Sequence, residues 1–109
     1  MAETAKPRQI QVGNHAVDRY REWVQPREMG NKHIRTRIHD LVRRGLEAGN
    51  VANYKPEGFL LYGERRRQLP AGQRFVWCEE EPRLGFIVQR NPDEPDFVKT
   101  TMIRVGVSR

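Results

Sequence analysis

Cysteine is nearly missing from this chain: Cys78 is the single one in 109 residues. That excludes an internal disulfide and any zinc cage built on thiolates. Aromatic residues are scarce at 8%, and hydrophobic residues of all kinds reach only 37%, so one modest core is all the chain can build. No stretch approaches the roughly 18–20 apolar residues of a membrane span. The opening MAETAKPRQIQV has no apolar segment of the kind a secretory signal needs. No glycine-rich phosphate loop is present, no carboxylates cluster as metal ligands do, and His15, His33 and His39 lack zinc-site spacing. The expectation is a cytoplasmic protein with no metal, no cofactor and no membrane contact.

What the chain has in excess is positive charge. Lys plus Arg is 20 against 14 for Asp plus Glu, a formal net charge of +6, and 31% of residues are charged. Such a balance points to an anionic partner, nucleic acid first. Residues 1–109 are expected to form a single domain, with 1–8 as a flexible polar tail.

Hydrophobic spacing supplies the elements. Gln9-Ile10-Gln11-Val12 alternates as a short strand does. Asn14 is placed to cap a helix over about 15–24, whose core positions are Ala16, Tyr20, Trp23 and Val24, and Pro26 closes it. Asn31 is the next expected cap. The second helix, about 32–48, has the clearest period in the chain: Ile34, Ile38, Leu41, Val42 and Leu46. Gly49 suits the left-handed position after it. Gly45 stands inside it at a propensity cost of about 1 kcal/mol. Beyond 58 the period becomes two, with strands expected over 59–63, 73–80, 84–90 and 97–107. Phe75 and Trp77 share one face of the second of these, and Val76 and Cys78 the other. The expected fold class is α+β: two N-terminal helices packed on a curled antiparallel sheet of about four strands.

Four groups of residues could carry chemistry. His15 and Arg19, one helical turn apart, put an imidazole and a guanidinium on one side of the first helix. A metal-independent ribonuclease needs such a pair, one group to take the 2′-hydroxyl proton and one to hold the phosphate. The plain alternative is a half-buried histidine beside a solvated arginine. Lys32, Arg35, His39 and Arg43 form a stripe on the second helix, flanked by Arg37 and Arg44. The stripe could follow a phosphate backbone or be a solvated face paired with Asp40 and Glu47. Arg65-Arg66-Arg67 is the densest positive run, suited to backbone-phosphate contacts or merely to solubility. On the last strand, simple alternation puts Lys99 and Thr101 with Phe97 and Ile103, and Thr100 and Arg104 with Val98 and Met102. Tyr54, Tyr62, Trp77 and Phe86 are the aromatics that could stack on bases. Tyr62 is the best placed for exposure, while Trp77 and Phe86 suit the core.

The stretch Val12-Gly13-Asn14-His15-Ala16-Val17-Asp18-Arg19-Tyr20-Arg21-Glu22 resembles the opening of small RelE-like domains, which begin with a short strand and an HA-x-x-R helix. These are part of a broader set of metal-independent ribonuclease-like folds of the barnase, EndoU, colicin and RelE type. The resemblance implies a second helix and a curled antiparallel sheet after that opening. It implies His15 and Arg19 as the helix-borne pair, Thr100 or Thr101 completing a phosphate site, and Arg104 assisting. Such helices often carry a further arginine where this chain has Trp23, which removes one phosphate ligand.

Three functions compete at this stage. One is an RNA-binding, toxin-like endoribonuclease that uses the 2′-hydroxyl as internal nucleophile, with His15, Arg19, Thr100 and Arg104 as its catalytic set. The second is a non-catalytic nucleic-acid-binding module, with Lys32, Arg35, His39, Arg43, Arg65, Arg66, Arg67 and Tyr62 as its footprint. The third is a phage-type accessory protein whose partner is itself a protein, either an antitoxin or a host nucleic-acid enzyme that it inhibits.

Overall fold

A computed structural model describes residues 9–25, 27, 29–59 and 65–104. The 1–8 tail, Pro26, Tyr62 and the outer parts of the expected strands 59–63 and 97–107 lie outside the described residues. Strand β1 (Ile10–Val12) leads into helix α1 (Asn14–Val24), and helix α2 (Asn31–Glu47) follows. Then come the short strands β2 (Val51–Ala52), β3 (Tyr54–Lys55) and β4 (Arg67–Gln68). The long strands β5 (Gln73–Trp77), β6 (Leu84–Gln89) and β7 (Asp96–Ile103) complete the described chain.

The architecture is α+β, but the sheet differs from the expected antiparallel one of about four strands. It has five strands in the order β1-β7-β6-β5-β2, and β3 and β4 form a separate two-stranded piece. Strands β5, β6 and β7 make the expected meander. The N-terminal strand joins its edge in parallel, with Ile10 opposite Asp96 and Val12 opposite Val98, which makes the sheet mixed. A three-residue strand carries too little pattern to specify its partner or direction.

Both helices lie on one face of the sheet. Ala16, Val17, Ile34, Ile38 and Leu41 pack there with Val76, Phe86, Val88 and Val98. Each large side chain fully buried in this way stabilises by about 1.5–3 kcal/mol. Gly45 is explained by this packing: a Cβ there would collide with the Trp77 carbonyl oxygen and stand 2.8 Å from Val76 Cγ1. Only a glycine lets α2 lie directly on β5. Gly49, at φ 77°, ends the helix in the left-handed conformation the sequence predicts.

Neither asparagine caps its helix. Gly13 and Gly30 hold the cap positions, and the asparagine side chains accept from arginines of the other helix. Arg35 Nη2 donates to Asn14 Oδ1 at 2.6 Å, and Arg21 Nη2 to Asn31 Oδ1 at 2.6 Å. A hydrogen bond from a charged donor is about twice as strong as a neutral one, so the bridge between helices displaces the cap.

The opposite face of the sheet carries a smaller cluster of Phe59, Leu69, Phe75, Ile87 and Met102, with Trp77 packed against it. Phe59 and Phe75 meet edge to face at 4.8 Å. Phe75 and Trp77 thus do share a face opposite to Val76 and Cys78, and Phe86 is buried in the larger core.

Candidate functional site

Strand β1 pairs only with Asp96–Val98, so the edge of β7 beyond Val98 has no strand beside it among the described residues. Helix α1 covers that edge instead. Trp23 Nε1 donates to the Thr101 carbonyl at 3.0 Å, and the buried Thr101 hydroxyl donates to the Ala16 carbonyl at 2.9 Å. These two bonds fix the helix against the strand. Thr101 is therefore a fastening, and Trp23, expected in the core, is a half-buried part of the helix–strand seam.

The strand itself is irregular at this point. Ile87 lies opposite Thr100 but Val88 lies opposite Val98, so Lys99 is an extra residue in a β-bulge. A bulge re-aims the side chains that follow it. Past it, Thr101 turns to the helix side with Val98, while Thr100 shares the other side with Met102 and Ile87. The simple alternation expected for this strand is corrected accordingly: it grouped Thr100 with Val98 and Thr101 with Phe97.

The consequence is a cleft of about 830 Å³ between α1, the bulged part of β7 and the segment 67–73. His15, Arg19 and Trp23 line one wall, Lys99, Thr100 and Thr101 the strand wall, and Arg67, Gln68 and Gln73 the far side. Leu69, Pro70, Ile87 and Met102 supply apolar surface. Among the described residues the lining includes three permanent cations and an imidazole but no carboxylate. His15 and Lys99 are exposed, and neither has a hydrogen-bond or ion-pair partner among the described residues. Arg19 Nη1 donates to Glu22 Oε1 at 2.6 Å, and its guanidinium lies 6.0 Å from the Trp23 ring. With side-chain exposures of 40% and 52%, that ion pair is of the solvent-screened, weak kind and leaves the guanidinium able to bind a second anion.

The expected residues separate into those the fold brings together and those it does not. His15, Arg19, Thr100 and Arg67 meet in the cleft. Arg104 does not: it lies at the far end of β7, bridged to Phe59, with its guanidinium 6.0 Å from the Phe59 ring. The strand carries it past the cleft, so its place in the catalytic set is withdrawn. Lys32, Arg35 and His39 line a different hollow, of about 490 Å³, beside β1. Within it Arg35 is occupied, since it donates to the Val12 carbonyl as well as to Asn14.

Arg43 is bound to Asp40 at 2.8 Å and to Glu47 at 3.2 Å. The hydrogen bond it donates to Asp40, and then those it donates to Glu47, hold its pKa above the ordinary value. Arg44 pairs with Asp40 at 3.1 Å and with Glu80. On the α2 stripe Arg35 and Arg43 are thus engaged, while Lys32 and His39 have no partner among the described residues. Arg65 is exposed, and Arg66 lies 4.2 Å from the Tyr54 ring, covering that aromatic.

Lys99, Gln68 and Gln73 were missed as site residues. The bulge that aims Lys99 has no signal in the local pattern, and the short β4 strand that positions Gln68 is two residues long. Among the described residues no group of three or more His, Cys, Asp or Glu could hold a metal ion, and no helix is long and apolar enough to cross a membrane. No family model, curated protein or solved structure matches the chain.

Proposed function

We propose that the cleft binds a single-stranded RNA backbone and cleaves it without a metal. The observation that carries this reading is the convergence of His15, Arg19, Arg67, Lys99 and Thr100 on one solvent-open hollow with no carboxylate among the described residues of its lining. A phosphodiester is the ligand that uses such a set fully. Guanidinium and ammonium groups satisfy its oxygens, Thr100 adds a hydroxyl donor, and the apolar surface of Leu69, Pro70, Ile87 and Met102 receives a base. In the reaction, the 2′-oxygen attacks the adjacent phosphorus while the His15 imidazole takes the 2′-hydroxyl proton. Arg19 and Lys99 hold the phosphoryl oxygens as their charge increases. The bond to the 5′-oxygen breaks, and that oxygen takes a proton from water in the open cleft. The products are a 2′,3′-cyclic phosphate and a 5′-hydroxyl.

A second reading is supported by one observation: among the described residues the cleft lining offers His15 as its single imidazole or carboxyl, so none of them is a dedicated acid for the leaving oxygen. On that reading the same cleft binds RNA without cutting it. Incubating the protein with RNA in excess chelator separates the two. Fragments ending in 2′,3′-cyclic phosphate are expected, and intact RNA that still binds would leave only the binding function.

A further inference from the structure

Phe97 is the one large hydrophobic residue exposed among the described residues, at 39%. It stands where the surface hollows meet. Lys99 lines both the cleft and a neighbouring hollow of about 580 Å³. Phe97 lines that hollow and also the one formed with Lys32, Arg35 and His39. The three depressions therefore run in series around the β1–β7 edge, with the Phe97 ring between the cationic cleft and the basic side of α2.

The ring is held there by the absence of a side chain at residue 13. A Cβ on Gly13 would lie 2.6 Å from Phe97 Cζ and 3.0 Å from the Val98 carbonyl oxygen. The hollow beyond it has no carboxylate in its lining, and Lys32 and His39 have no partner among the described residues. In the middle hollow the acid is Glu94, which accepts from Asn91 at 3.3 Å.

An exposed aromatic with cations on both sides has the make-up of a single-strand track, in which rings stack on bases and cations neutralise phosphates. We infer that Phe97 stacks on a base of the RNA strand as it leaves the cleft, and that Lys32 and His39 take a phosphate further along. This rests on the RNA reading of the cleft and extends it: the ligand is a strand several nucleotides long, and a mononucleotide fills only part of the surface.

The test measures fluorescence anisotropy of labelled 2′-O-methyl oligouridylates, which bind without being cleaved, using a dinucleotide and a decanucleotide. Phe97→Leu should weaken decanucleotide binding by about 5- to 150-fold, the range for one lost base stack, and leave dinucleotide binding unchanged. Phe97→Trp should restore it, and its emission in excess of the wild type's should be quenched by the decanucleotide and not by the dinucleotide. That quenching would not arise if the ring only packed on Gly13. Equal decanucleotide affinity in wild type and Phe97→Leu, with the dinucleotide still bound, overturns the track and leaves the cleft reading standing. Failure of the wild type to bind either oligonucleotide overturns both and points to an acidic protein surface as the occupant. A response of the deoxyribose decanucleotide equal to that of the RNA analogue supports stacking and extends the track to single strands of either sugar.

Discussion

The two helices are both amphipathic and both carry arginines, yet they divide their charge differently between internal contacts and open surface. On α2, Arg43 is held by Asp40 and Glu47, Arg44 by Asp40 and Glu80, and Arg35 by Asn14 and a backbone carbonyl. Those cations hold the molecule together. On α1, His15 is unpartnered among the described residues and Arg19 has a screened surface pair, and both open onto the cleft. The density of positive charge is greater on α2, but part of it is spent on contacts within the molecule, and Lys32 and His39 are left without a partner among the described residues. Pairing as well as count sets how much charge stays open to a ligand.

The largest effect that would sharpen this contrast is chemical. His15→Ala should lower metal-free RNA cleavage by about 10²–10³, the usual loss for one positioned catalytic group, with RNA affinity almost unchanged. A loss of affinity equal to the loss of rate would make His15 a binding residue and weaken the distinction. Gly45→Ala tests the structural half. Its methyl group must displace the β5 backbone, and overpacking of this kind costs about 1–3 kcal/mol, against a helix-propensity gain of about 1 kcal/mol. The urea midpoint should fall with the slope unchanged; a rise would mean that α2 is free to shift off the sheet. The smallest effect compares single charges. Lys99→Gln should reduce the salt dependence of RNA binding by about 0.7 in slope, one phosphate contact on a single strand, whereas Arg43→Gln should leave both slope and affinity as they were. If Arg43 carried the slope instead, the paired helix would be the binding face.

Much of the candidate site was legible before the fold was known, though unevenly. His15 and Arg19 could be placed together because helical periodicity is strong over 14–24 and the turn spacing is fixed. Arg67 was found as part of a conspicuous run, but nothing local told it apart from Arg65, which is exposed, or Arg66, which covers Tyr54. Arg104 was misplaced because the strand's reach past the cleft depends on how far α1 extends beside it. Lys99 was overlooked as a ligand because a β-bulge is set by the pairing register with β6, which the alternation within β7 does not encode. The paired state of Arg43 could be suspected from Asp40 and Glu47, three and four residues away, while the Arg44–Glu80 contact could not.

The sequence by itself determined the element types, the helix faces, the two sides of β5 and the positive balance, because these follow from short-range spacing and composition. Only the tertiary structure decided that the first strand joins the last in parallel, and that α1 takes over the edge where this strand stops. The bulge beside that edge then turns Lys99 and Thr100 toward His15. The first two depend on contacts between segments about 85 residues apart, and the bulge on the register between neighbouring strands; local periodicity carries no information about either.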